Sequence, residues 1–216
     1  MGQIKVVSFD LDGTLIDDEF VDSVWYNGIP GLYAEKEGTS LDEAQRLVKN
    51  EYDKVGMERL EWYDVKYWLR RFGLNEDWKT LLNRFKSEIK LYPEVPTVLK
   101  KLRLKGYELV IITNSPREFL DIELEGTGIR GYFKHIFSST SDFNQVKKTT
   151  DFYAQISHIL QVSPRQIAHV GDNWTFDYII PQRIGIKSFY LDRKKQRTGE
   201  FVVRDLNEFA NRLKPP

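Results

Sequence analysis

Two acids two residues apart, Asp10 and Asp12, stand in the run Asp10-Leu11-Asp12-Gly13-Thr14, and two more, Asp172 and Asp177, stand in Gly171-Asp172-Asn173-Trp174-Thr175-Phe176-Asp177. In extended chain, residues two apart point the same way, so Asp10 and Asp12 can face one site. If the second run lies beside the first, three or four carboxylates crowd together and repel strongly at low dielectric. Either some carry protons or a hard divalent cation sits among them. Mg²⁺ suits such a set, because it takes few protein carboxylates and completes its octahedron with water and phosphate oxygens. A polar turn built from Asp and Gly also accounts for the first run on its own; the second acidic loop shifts the weight toward a metal site.

A third segment, Thr113-Asn114-Ser115-Pro116-Arg117-Glu118, predicts a helix start, with Ser115 as N-cap, Pro116 at the first helical position and Glu118 three residues after the cap. The free amides and positive dipole end of such a helix form an anion site, with the Thr113 hydroxyl as an added donor. Lys147 and Lys148 precede a further helical pattern. A phosphate bound near so many acids needs a fixed cation, and a lysine there serves as a point charge.

The elements that must position these groups follow from periodicity. Apolar, β-branched runs at 4–9, 107–112, 134–138, 167–170 and 186–190 read as buried strands, and helical patterns at 94–105, 116–125, 149–160 and 176–183 lie among them. This alternation predicts parallel pairing with right-handed crossovers, hence an α/β, doubly wound parallel sheet. Open sheets of this kind bind ligands at the carboxyl ends of their strands, where Asp10, Thr113 and Asp172 fall. The segment 205–213 reads as an amphipathic helix packed on the sheet.

Residues 16–90 break the rhythm. Leu41, Ala44, Leu47, Val48, Tyr52 and Val55 share one helical stripe behind a Ser40/Glu43 capping box, and Trp78, Leu81, Leu82, Phe85 and Ile89 form another. The expected domains are therefore an α/β core, 1–15 with 91–216, and an all-helical insertion, 16–90, joined by two short linkers near 15–20 and 89–93. Trp25, Trp62, Trp68 and Trp78 fall in the insertion, where packing is the favoured role for them over stacking on a substrate.

Composition narrows the class. With 32 Lys and Arg against 32 Asp and Glu, the formal net charge is +0, so no global field draws the chain to nucleic acid or acidic membranes. Without cysteine, disulfides, thiolate catalysis and Cys-ligated zinc are excluded. No apolar run is long enough to span a bilayer and none follows the pattern of a secretion signal, so a cytoplasmic location is expected. His135, His158 and His169 lack metal-ligand spacing, and the basic run from Arg193 to Arg197 reads as a solvated loop.

In this order and at these separations, the segments resemble the four motifs of the haloacid dehalogenase superfamily, with the helical insertion where members with a helical cap carry one. The resemblance implies that Asp10 is a nucleophile forming an aspartyl phosphate and that Asp12 is the general acid and base. Thr113, Asn114 and a lysine would bind the phosphoryl group. It further implies Mg²⁺ held by Asp10, the Asp12 carbonyl and Asp172, with Asp177 orienting the lysine or a metal-bound water. The third motif ordinarily reads Lys-Pro, whereas this chain has Lys147-Lys148-Thr149. An ungapped count back from Gly171 selects Lys147, with Lys148 in reserve. Trp174 is bulky where small residues are common.

The expected activity is a magnesium-dependent phosphatase acting on a small phosphorylated metabolite, as a monomer or small homo-oligomer without nucleic-acid or membrane partners. The alternatives are a phosphomutase, a 2-haloacid dehalogenase or a non-catalytic binding member of the same superfamily.

Overall fold

The computed structural model describes residues 3–214; residues 1, 2, 215 and 216, which the expected core includes, lie outside this range. The strands are β1 (Val6–Phe9), β2 (Glu108–Thr113), β3 (His135–Ser138), β4 (Ile167–Gly171), β5 (Lys187–Leu191) and β6 (Val202–Val203). They form one all-parallel sheet in the order β3-β2-β1-β4-β5-β6. Every residue of β1 and β4 is buried, as parallel strands covered on both faces must be. The chain winds outward from β1 through β2 to β3, then crosses back to β4 on the other side of β1. Strand order therefore reverses between β1 and β4, and the carboxyl ends of both open on one crevice.

Between β1 and β2 lie α1 (Glu19–Ser23), α2 (Ile29–Glu37), α3 (Leu41–Val55), α4 (Val65–Arg71) and α5 (Trp78–Arg84). Ser40 caps α3 by accepting the Glu43 N–H at 3.2 Å, but the Glu43 side chain turns to Arg46, so half of the expected capping box forms. The apolar faces close on a cluster that includes Phe20, Val48, Trp68 and Leu81. Trp68 is wholly buried, and truncating it to alanine should cost about 3–5 kcal/mol.

The chain leaves and rejoins the sheet through two antiparallel linkers. Ile16 bridges Leu91, the Asp17 N–H donates to the Lys90 carbonyl at 3.0 Å, and the Tyr92 N–H donates to the Leu15 carbonyl at 3.1 Å.

The remaining helices are α6 (Val95–Leu104), α7 (Arg117–Thr127), α8 (Ser139–Phe143), α9 (Thr150–Ile159), α10 (Ile180–Arg183) and α11 (Leu206–Arg212). α6, α7 and α11 cover one face of the sheet around Val7, Phe9 and Ile111. α9 and α10 cover the other, around Val6, Ile112 and Ile167.

Some local expectations need correction. α7 begins at Arg117, with Pro116 in extended backbone as its N-cap, so Ser115 does not cap it. The Arg117 N–H is taken by Ser141 Oγ at 3.0 Å. The short α8 and β6 carry too few apolar residues to register as periodic patterns. The basic run is only partly solvated: Arg193 lies 3.4 Å from the centre of the Tyr92 ring, pairs with Glu94 and donates to the Thr14 carbonyl. No helix among the described residues is long and apolar enough to cross a membrane.

Candidate active site

The first acidic run folds as a turn around the Leu11 carbonyl, which accepts the N–H groups of Thr14, Leu15 and Ile16 at 3.1, 2.8 and 3.1 Å. Leu11 goes into the core, which leaves Asp10 and Asp12 to face the crevice. Gly13 has φ +71°, and a Cβ there would overlap the Asp172 carboxylate. Glycine is thus needed both for the left-handed turn and for the approach of the β4 loop. Gly171 plays the same spacing part, since a Cβ on it would overlap Asp177.

These turns gather what the sequence separates. Asp10, Asp172 and Asp177 each present a carboxylate oxygen within 4.8 Å of the others. Lys148, carried by the loop before α9, places its Nζ 2.8 Å from Asp10 Oδ1, 2.5 Å from Asp177 Oδ1 and 3.3 Å from the Ile112 carbonyl.

Lys147, the lysine the ungapped count selects, turns away and pairs with Glu58 of the helical insertion at 2.5 Å. The expected position is therefore corrected by one residue: adjacent residues in a loop point to different sides, and Lys148 is the one directed inward. Thr149 then caps α9 by accepting the Phe152 N–H at 3.2 Å.

Thr113 ends β2, buried, with its Oγ1 accepting the Ser115 N–H at 3.0 Å. The Asn114 side chain is engaged at both ends, donating to the Val146 carbonyl at 2.9 Å and accepting from Ser139 Oγ at 2.9 Å. It braces the β2 and β3 loops, leaving its backbone and Ser115 at the crevice. Trp174 packs against Tyr178 and Tyr190 and lies under Arg197.

The electrostatics divide the acids. Burial pushes the Asp177 carboxyl up, but Lys148 and a hydrogen bond from His169 override it and hold the group down at about 2. Asp10 goes the other way: burial raises it well above the usual carboxylate range, Lys148 offsets only part of this, and Asp177 and Asp172 add repulsion. Asp172 sits at the mouth of the site with solvent on one side. The enclosing chain, together with Asp177, Asp18 and Asp12, still pushes it up to about 7. Lys148 stays protonated, because its two acid partners outweigh its own burial.

Periodicity and spacing do not reveal two supports. His169 on β4 is buried, which lowers its pKa and keeps the imidazole neutral. Its Nδ1 lies 2.8 Å from Ser8 Oγ and its Nε2 3.1 Å from Asp177 Oδ1. The arrangement assigns the proton to Nε2, donating to Asp177, with Ser8 donating to Nδ1.

Glu123, wholly buried on α7, stands beside Asp12 and has no donor for either oxygen. Burial and the Asp12 charge raise it well above the usual range, so it sits as a neutral acid able to donate to Asp12. An acid between Ile122 and Leu124 on the apolar face of α7 is the signal that could have found it. Burial also raises Asp12, less far, because Glu123 and Ser115 beside it offset part of the rise.

The set fits a hard divalent cation. Its ligand groups are oxygens only, and Asp172 makes no ion pair among the described residues to balance it. Lys148 supplies one positive charge against Asp10, Asp172 and Asp177, and the upward shifts of Asp10 and Asp172 register the uncompensated negative charge.

The family model for haloacid dehalogenase-like hydrolases matches residues 4–185. A GMP/IMP nucleotidase of Escherichia coli is 24% identical over 170 residues, covering 79% of this chain and 75% of that one. A phosphoglycolate phosphatase of Vibrio vulnificus is 25% identical over 207 residues, covering 88% of this chain and 84% of that one. Among solved structures, a HAD phosphatase from Thermococcus onnurineus superimposes with a TM-score of 0.85 at 26% identity, covering 98% of this chain and 99% of that one. A match over most of the chain, on a fold that brings the acidic runs together at one crevice, makes this protein a member of the haloacid dehalogenase-like hydrolases.

Proposed function

We propose that the protein is a phosphatase that hydrolyses a small phosphate monoester through a phosphoryl group carried on Asp10. The observation that supports this most is the Asp10 carboxylate, fixed by Lys148 through Oδ1 and within 4.8 Å of Asp172 and Asp177 at the end of β1. Phosphoryl transfer asks for positioning and charge neutralisation more than elaborate covalent chemistry, and this crevice offers both. Relatives named as a nucleotidase and a phosphatase agree with the reading.

In this mechanism Asp10 attacks phosphorus in line with the ester oxygen. The P–O bond to the leaving alcohol breaks, and Asp12 gives that oxygen its proton. The upward shift of Asp12 suits it to hold the proton beforehand. Asp12 then takes a proton from water, which attacks the same phosphorus; the bond to Asp10 breaks and phosphate departs. The Thr113 hydroxyl, the Asn114 backbone N–H and Lys148 hold the phosphoryl oxygens. Mg²⁺ bound by Asp10, Asp172 and the Asp12 carbonyl would neutralise phosphate charge at the crevice. The helices between the two linkers form a cap over the site and limit its access to water.

A dehalogenase would use Asp10 against carbon and would need neither Asp12 as a proton donor nor Asp172. Phosphate release from a panel of monoesters, with and without a chelator, tests the proposal. We expect metal-dependent release that is abolished in Asp10→Asn. Halide release from a 2-haloacid without metal would overturn it, and transfer of phosphate between positions of a sugar phosphate without net release would point to a mutase.

A further inference from the structure

Between the helical insertion and the crevice lies a cleft of about 180 Å³ that ends on Asp12 and Ser115. This is on the scale of the ~150 Å³ cavity that holds a benzene ring. Its walls are the rings of Trp25, Tyr52, Trp62, Tyr63 and Phe119, with Pro116. Trp25 is central: its ring is nearly parallel to Phe119, 5.3 Å away at 17°, and 6.4 Å from Trp62 at 29°. Trp68, by contrast, is buried in the insertion's own cluster, so the tryptophans of this region divide between packing and cleft lining.

The polar groups of the cleft are largely committed elsewhere. Tyr52 donates to the Trp25 carbonyl at 3.2 Å, Tyr63 to the Met57 carbonyl at 3.3 Å, and the Asn114 amide is engaged at both ends. Two acids, Asp12 and Asp22, face the space, and among the described residues no lysine, arginine or histidine lines it.

Basic groups on the adjoining elements are already paired, Lys147 with Glu58, Lys66 with Glu118 and Arg117 with Asp142. A leaving group bearing a second negative charge would meet Asp22 with no cation to balance it. A flat, apolar group finds aromatic walls instead.

Building on the phosphatase reading, we infer that this cleft selects phosphate monoesters of uncharged, ring-bearing alcohols and discriminates against monoesters whose leaving group carries a carboxylate or a second phosphate. The phosphoryl group occupies the Asp10 crevice while the ring of the alcohol lies against Trp25 and Trp62. Asp22, exposed on α1, sets the sign of the charge the cleft accepts.

Benzyl phosphate and phosphoglycolate, both esters of primary alcohols, separate the alternatives when kcat and KM are measured with Mg²⁺ for the wild type, Asp22→Lys and Trp62→Ala. The wild type should favour benzyl phosphate in kcat/KM by roughly tenfold or more, since like-charge juxtaposition costs several kcal/mol. Asp22→Lys should lower KM for phosphoglycolate and shrink that ratio. Trp62→Ala should raise KM for benzyl phosphate alone. An Asp10-dependent preference for phosphoglycolate, or a ratio unmoved by Asp22→Lys, overturns the inference while leaving the phosphatase intact. Silence toward both esters, with Asp10-dependent release from other monoesters, overturns the inference alone, and silence across the whole panel contradicts the phosphatase reading with it.

Discussion

The Lys148 ammonium lies 2.8 Å from the Asp10 carboxylate, both in the interior, although the two residues are 138 positions apart. It also holds Asp177, so one cation fixes two acids from the segments that follow β1 and β4.

Removing Lys148 leaves both carboxylates buried without a cation, which typically costs about 3–5 kcal/mol. Lys148→Met should therefore lower the melting temperature and reduce kcat by about 10²-fold or more, the usual loss for a preorganised charge at a reacting centre. Lys147→Met removes a partly exposed pair with Glu58, worth about 0–1 kcal/mol, and should leave kcat within roughly twofold. Thermal denaturation and steady-state kinetics of the two variants check this; equal effects would contradict the inward assignment of Lys148.

Divalent-cation affinity should depend on pH through Asp172. Its carboxyl is pushed up to about 7, so below that pH the cation must displace a proton. Half-saturating Mg²⁺ should fall from pH 6 to pH 7.5, approaching about tenfold per unit well below the pKa, and level off above it. Titration by calorimetry at each pH reads this directly, and an affinity independent of pH would remove Asp172 from the ligand set.

The same raised groups should make the chelated protein less stable as pH rises. Asp172 at about 7 and Asp18 at about 6 lie above their ordinary 3.8, so the folded state binds their protons more tightly than the unfolded one. That contribution is complete below the unfolded value and is lost as pH rises through the folded values. Melting temperature with a chelator should fall between pH 5 and pH 8, and Mg²⁺ should flatten the fall. Asp172→Asn should melt a few degrees above the wild type at pH 8 while losing Mg²⁺ binding, a functional acid held at the expense of stability.

Glu123 reaches the chemistry through Asp12. Glu123→Gln retains a donor to Asp12 and should keep kcat within about tenfold, whereas Glu123→Leu removes it and should cost about 10²-fold, the lower end of what acid–base catalysis contributes. The pH–rate profile distinguishes a positioning role from simple damage: the limb assigned to Asp12 should move in Glu123→Leu and stay in place in Glu123→Gln. Unchanged profiles in both would mean that Glu123 is packing alone.

How much could be read beforehand depends on how strongly local physics fixes each feature. β1, β2 and β4 are short β-branched runs with no competing period, and Asp10, Asp12, Asp172 and Thr113 follow from where those runs stop. The lysine is different. It lies in a loop after Asn144, which takes a left-handed φ of 52°, and no period tells which of two adjacent residues faces inward. His169 and Glu123 look like ordinary members of a strand and a helix, and only the tertiary contacts with Asp177 and Asp12 distinguish them. Trp25 and Trp62 share aromatic character with Trp68, and burial alone separates core from cleft.

In the proposed mechanism Asp10 takes the phosphoryl group. Rapid acid quench during turnover of benzyl phosphate, followed by mass spectrometry of the peptide containing Asp10, tests it most directly. We expect a phosphoryl group on Asp10 that forms and decays at the rate of turnover in the wild type and forms far more slowly in Asp12→Asn, where both the proton donor to the leaving alcohol and the proton acceptor for the attacking water are gone. Turnover with Asp10 unmodified, or in an Asp10→Asn variant, would contradict it.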